Sequence, residues 1–241
     1  MRINTLFVSS LVLTSGVYAQ DVVVPVSADV LSIVEKASVY VRSNSAPTLT
    51  AFDSTIQAHL IGLDWHVTVP VYTSDVSGYG ALDLGVSWDF LQGGNMLGAT
   101  TKLTVAGGAL MPTGSAGYET TDVTPYFGGG VSMDWGKVSF DQTANYTFVT
   151  GSTFDPLAGT LSENTLALSS NLGYDVSDTF GVGLNLTQEY FSGGNVAVLG
   201  PTVDWTVAPS VSVEVGVGFP IWQELAVENT CVVNAGVSFK F

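Results

Sequence analysis

From residue 63 to the end of the chain, apolar and polar residues alternate one by one, the period of β-strands with one face in an apolar medium. In the stretch 63–72, Leu63, Trp65, Val67, Val69 and Val71 fall on one face, and Asp64, His66, Thr68 and Pro70 on the other. In 80–91, Leu82, Leu84, Val86, Trp88 and Phe90 oppose Asp83, Gly85, Ser87 and Asp89, with Gln92–Asn95 as the expected turn. Further strands are expected at about 99–111, 122–135, 137–150, 164–175, 179–192, 195–207, 209–221 and 229–241. The last one ends the chain on a bare aromatic, Phe241, preceded on the same face by Phe239, Val237 and Ala235.

The connections alternate in length. Short turns are expected at 93–94, 136–137, 177–178 and 208–210, and longer loops at 73–80, 112–121, 151–163 and 223–228. The exception is the short connection at 193–195, which falls on the long-loop side. That rhythm is the one expected of an antiparallel, up-and-down transmembrane β-barrel with tight periplasmic turns and longer extracellular loops. Ten strands are clear. Ser32–Ser43 and Thr48–Ile61 supply one further hairpin, for twelve; the alternative is ten strands with an N-terminal periplasmic or plug segment. Counting back from Phe241 places the chain end at the periplasmic rim, where a closing strand would meet the barrel-assembly machinery. Trp65, Trp88, Trp135, Trp205, Phe239 and Phe241 then form an aromatic girdle at one membrane interface, with Tyr72, Tyr146, Phe148, Tyr190 and Phe219 near the other.

Composition sharpens this. The chain is 46% hydrophobic and 11% charged, yet beyond its N-terminus it has no run of 18 apolar residues, which excludes a helical membrane protein. Residues 1–19 read as a signal peptide, with Arg2 before a short apolar stretch and Val17-Tyr18-Ala19 as a cleavage site. The mature barrel domain is then 20–241, and its setting the bacterial outer membrane, with lipid as its surroundings. Six Lys and Arg and a net charge of −15 exclude a nucleic-acid partner. Cys231 is the only cysteine, so no intrachain disulfide forms.

The polar face collects the candidate chemistry. Asp64, His66, Asp83, Asp89, Lys102, Asp134, Asp141, Glu189, Asp204, Glu214 and Lys240 are expected to line the lumen, among many small residues. Such a lumen leaves room for a narrow aqueous passage, disfavouring anions and admitting cations or neutral solutes. The alternative is a closed, salt-bridged interior that stabilises a structural or adhesive barrel, acting through loops 112–121 and 151–163. A barrel hydrolase is a third reading, resting on His66 with Asp64 and Thr68, but no serine active-site motif accompanies it. Asp64 and His66 could share a cation, though no ligand set has diagnostic spacing. No catalytic residue, metal or cofactor is implied.

Several stretches resemble the outer-membrane family named for the MetA pathway of phenol degradation. Gly78–Trp88 is similar to that family's glycine-rich strand, with the acid at Asp83, later than usual. Leu63–Val71 resembles the preceding strand, Gly107–Gly114 its Gly-x-x-x-Pro-Thr-Gly element, and Phe219-Pro220 the approach to the closing strand. The resemblance covers about residues 55–241 and implies a barrel of about a dozen strands that passes small, often hydrophobic compounds. It carries no catalytic residue.

Overall fold

The computed structural model describes residues 31–42, 47–75, 77–157, 159–224 and 229–241. The expected signal peptide at 1–19 and the start of the mature chain lie outside them. The described residues form strands and connecting loops: β1 (Leu31–Arg42), β2 (Leu49–Leu60), β3 (Leu63–Thr73), β4 (Ser77–Tyr79), β5 (Asp83–Met96), β6 (Ala99–Leu110), β7 (Thr124–Asp134), β8 (Val138–Thr147), β9 (Thr153–Asp155), β10 (Gly159–Leu161), β11 (Thr165–Ser177), β12 (Phe180–Phe191), β13 (Gly194–Ala208), β14 (Val211–Gln223) and β15 (Asn229–Lys240). Each long strand pairs antiparallel with its sequence neighbour, and β1 pairs with both β2 and β15. Setting aside the short β4, β9 and β10, this closes a barrel of twelve strands. Paired β1 and β2 are therefore part of the wall, and the ten-strand alternative falls.

The closing seam is continuous. It runs from Ser32 opposite Lys240 to Arg42 opposite Asn229, and the Phe241 N–H donates to the Leu31 carbonyl at 2.9 Å. The weakest part of the wall lies between β3 and β5, which share only the pairs from Asp64–Ser87 to Thr68–Asp83. Pro70 has no N–H to extend that ladder. Its carbonyl instead takes the Gly80 N–H, and β3 continues against β4.

One turn differs from the sequence reading. Gln92–Asn95 is not a turn; β5 runs on through bulges after Asp89 and Leu91 and reverses at Leu97-Gly98. Leu97 and Gly98 have φ of 55° and 79°, the doubly left-handed pattern that joins twisted strands in a two-residue hairpin. Gly93, at φ 70°, is absorbed into the bulged strand. A bulge and a turn share the same glycine-rich composition, so the sequence alone does not separate them.

Side chains alternate between a buried and an exposed face all round the wall. Phe52, Trp65, Trp88, Phe127, Trp205 and Phe219 are exposed outside, and Phe241 is 72% exposed at the short-turn rim. The buried apolar cluster sits inside the barrel at the long-loop end: Tyr40, Leu49, Ala51, Tyr72, Val196, Val198 and Val232 from the wall, with Tyr118 and Leu157 from loops. Tyr72 is thus a correction to the expected outer band, being only 3% exposed. Its parity places it with Pro70 and Thr68, facing inward.

The wall is tight where glycines meet long side chains. A Cβ on Gly128 of β7 would overlap the Asn145 side-chain amide and the Ala144 backbone carbonyl of β8. Overpacking costs about 1–3 kcal/mol even where neighbours can shift, and a ladder carbonyl has little room to do so. Gly128→Val is therefore expected to lose most of the compact, heat-modifiable form on gels. Gly98→Ala, whose Cβ meets nothing, is expected to keep it, at a cost of about 1 kcal/mol for its left-handed backbone.

Candidate functional site: the barrel interior

Residues opposite one another on successive strands form rows across the inner wall, and three rows carry the charge. The first crosses β3, β5, β6 and β7 as His66, Gly85, Gly108 and Tyr126. A Cβ on Gly85 would overlap the His66 imidazole and the Tyr126 hydroxyl, and one on Gly108 would overlap Tyr126. The two glycines let both rings lie flat along the wall until they meet over Asp83. The Tyr126 hydroxyl donates to Asp83 Oδ1 at 2.8 Å, and His66 Nε2 lies 3.2 Å from both Asp83 Oδ2 and the Tyr126 oxygen. Asp83 is 0% exposed. Its carboxylate is held by His66 across the shortest ladder of the barrel and, on the other side, by Tyr126 from two strands away.

The second row crosses β6, β7 and β8 as Lys102, Ser132 and Asp141. Lys102 Nζ lies 3.4 Å from Asp89 Oδ2, and Thr104 donates to the other Asp89 oxygen at 2.5 Å. Asp141 and Asp64 also act on the Lys102 charge, so one ammonium faces several carboxylates. Asp64 in turn pairs with His59, Nδ1 to Oδ1, at 2.7 Å.

The third row crosses β13, β14, β15, β1 and β2 as Asp204, Glu214, Gly236, Lys36 and Asp53. Gly236 leaves space between Glu214 and Lys36, and Lys36 acts on Asp53. In this row one lysine stands among three acids.

The remaining expected residues are placed as follows. Glu189 is fully buried, opposite Ala167 and Val196 near the apolar cluster. Asp134 is half-buried and accepts from the Gly136 N–H at 2.5 Å, capping its own turn. Lys240 is exposed at the short-turn rim, opposite Ser32. The exposed Trp65, Trp88, Trp135, Trp205, Phe239 and Phe241 lie outside the wall.

Two groupings made along the sequence do not form across the sheet. His66 meets Asp83 and Tyr126 rather than Asp64, and Thr68 meets Thr55 Oγ1 at 2.9 Å. Neighbours two apart on a strand are farther from each other than side chains facing across a ladder. Lys36, Asp53 and Tyr126 are interior residues that the sequence reading did not single out, although the even parity of 32–40 was a signal for Lys36. Among the described residues no three His, Cys, Asp or Glu side chains gather as a metal site.

The glycine-rich pieces quoted above now have a geometry. Gly85 and Gly108 make room for the Asp83 network, and the Pro112-Thr113-Gly114 corner ties a loop to β5 through Thr113 Oγ1, which accepts the Leu82 N–H at 2.7 Å. A family model described as "Putative MetA-pathway of phenol degradation" matches residues 15–241. The chain belongs to that family. No curated protein sequence matches it. Among solved structures, an outer membrane channel from Pseudomonas putida F1 has a TM-score of 0.64 at 14% identity, with 91% of this chain and 97% of that one covered. The NanC porin has a TM-score of 0.59 at 13% identity, covering 87% and 100%. The CymD monoaromatic hydrocarbon channel has 0.50 at 7% identity, covering 88% of each. At these identities what is shared is the fold, that of outer membrane channels and porins, and this member of the phenol-degradation family has it over nearly its whole described length.

The Asp83 network gives a direct test. Tyr126→Phe removes one donor from a fully buried carboxylate, and should destabilise the barrel by about 1–3 kcal/mol. Denaturant unfolding of the reconstituted protein measures this. An unchanged midpoint would mean that the Tyr126–Asp83 bond does not hold the wall.

Proposed function

We propose that this protein is an outer-membrane channel for small neutral, hydrophobic or cationic solutes, with its long loops extracellular and its short turns periplasmic. The observation that carries the reading is the interior: a closed barrel whose inner wall holds rows of carboxylates, with three acids acting on Lys102 and Lys36 set in a row with Asp53, Glu214 and Asp204. A negative interior raises the local concentration of cations and repels anions, while neutral solutes see neither effect. The exposed outer aromatics, Trp65, Trp88, Trp135 and Trp205 toward the short turns and Phe127, Phe148 and Phe219 toward the long loops, support a membrane setting with two interfacial bands. The bacterial outer membrane is the setting that this barrel type implies.

The loops folded over the long-loop end favour a second reading, a closed barrel that acts through those loops. Planar-bilayer recording separates the two, because the channel conducts and the closed barrel does not. In the channel reading Asp89→Asn and Asp141→Asn each remove one unit charge from the interior. At a few ångströms in a watery lumen that charge is worth about 1 kcal/mol to a cation and the opposite to an anion, so the cation-to-anion permeability ratio should fall roughly thirtyfold. Lys102→Gln should raise it. A ratio indifferent to all three substitutions would remove these residues from the permeation path.

A further inference from the structure

The loop between β8 and β11 does not stand out from the barrel. It folds inward as the β9–β10 hairpin, and at its tip Leu157 is 1% exposed. Leu157 joins a wall patch in which Val232, Tyr40 and Leu49 lie side by side on β15, β1 and β2. Phe154, from the same hairpin, packs against Tyr72 of β3 and Tyr118 of the 111–123 loop, with ring centroids 5.0 and 4.9 Å apart. The two tyrosine rings are themselves 5.2 Å apart. Phe154 thus completes a three-ring cluster whose other members belong to a wall strand and a second loop.

The two sides of that cluster are held very differently. The 111–123 loop is tied to the wall: the Ser115 N–H donates to the Tyr79 carbonyl, the Tyr79 N–H to Ser115 Oγ, and the Leu82 N–H to Thr113 Oγ1. The β9–β10 hairpin has no ladder to the barrel; its three backbone pairs are internal. Its tip meets the wall through side chains: Arg42 Nη2 donates to the Pro156 carbonyl at 3.0 Å and its charge also acts on Asp155, and Asn229 Nδ2 donates to the Leu157 carbonyl at 3.2 Å. At the rim its base meets the 111–123 loop: Thr120 and Thr153 touch, Oγ1 to Oγ1, at 2.8 Å, the Thr121 N–H donates to the Ser152 carbonyl at 2.9 Å, and the Ser152 N–H donates to Thr121 Oγ1 at 2.9 Å. A two-stranded hairpin attached this way can lift as a unit by parting its side-chain bonds and hinging at its base beside Ser152, since no barrel ladder has to break.

We propose that Leu157 and Phe154 occupy the barrel's own solute site. The Tyr72–Tyr118 slot and the Val232–Tyr40–Leu49 patch seat a small neutral solute bearing an aromatic ring or branched alkyl group, and the hairpin must leave before the solute sits. The seat accepts those shapes because it already holds a phenyl ring and an isobutyl group, and a solute regains the apolar burial that the departing side chains give up. This rests on the channel reading and deepens it: the hairpin is both lid and resting occupant, and an apolar solute opens the channel by exchange.

The test joins Thr120→Cys to Thr153→Cys in a Cys231→Ser parent, each form checked for assembly by heat modifiability and recorded in planar bilayers. The reduced double variant should open like the parent, while oxidation should lower the open fraction by roughly tenfold or more, reversibly with dithiothreitol. Benzyl alcohol on the loop side should raise the open fraction of the parent and not of the oxidised form. Leu157→Ala and Phe154→Ala should open without the solute and respond to it weakly. Oxidised and reduced forms conducting alike, or alanine variants that behave like the parent, would overturn the lid and leave the channel standing. Silence of every form, Leu157→Ala included, would overturn both.

Discussion

A backbone N–H or C=O left unpaired in hydrocarbon costs several kcal/mol, so a strand can lie there only if both of its edges are paired. For this chain that means the last strand must find the first. The β1–β15 ladder does so to the final residue, where the Phe241 N–H reaches the Leu31 carbonyl. Once the ring closes, the alternation of each strand has only two destinations, lipid or interior. The apolar exterior and the charged interior both follow from closure.

Closure also explains how the interior is written. In a barrel the near neighbours of a side chain lie across the ladders, so function is spelled in rows that cross strands. His66, Gly85, Gly108 and Tyr126 form one such row, and Asp204, Glu214, Gly236, Lys36 and Asp53 another. Glycine and large polar side chains complement each other within a row: the absent Cβ of one strand is the space that the ring or ammonium stem of the next occupies. The apolar cluster lies toward the long loops with Asp83 and Glu189 buried in the same half, and the Lys102 row lies nearer the short turns.

The strands, the long and short connections, the closing role of the chain end and the β1–β2 hairpin were legible in the sequence, because period-two alternation is local and survives any tertiary detail. What was not legible depends on pairing. The Gln92–Asn95 stretch read as a turn because bulge and turn share glycine. Tyr72 was counted with the outer band because an aromatic near a strand end resembles a girdle residue, yet parity and the loop ring that packs on it put it inside. Asp83 was expected in the lumen, but its partnership with Tyr126 spans forty-three positions and crosses one intervening strand, β6, where Gly108 leaves room for the ring. The inward fold of the β8–β11 loop had no periodic signature at all.

The central claim is that the acidic interior is a path for solutes, with a preference set by charge. Its most direct measurement is the swelling of proteoliposomes holding the wild-type protein, challenged with an organic cation and an organic anion of matched size. The account predicts faster entry of the cation, by a margin that shrinks as ionic strength rises. Equal entry, faster entry of the anion, or no entry of either would contradict it.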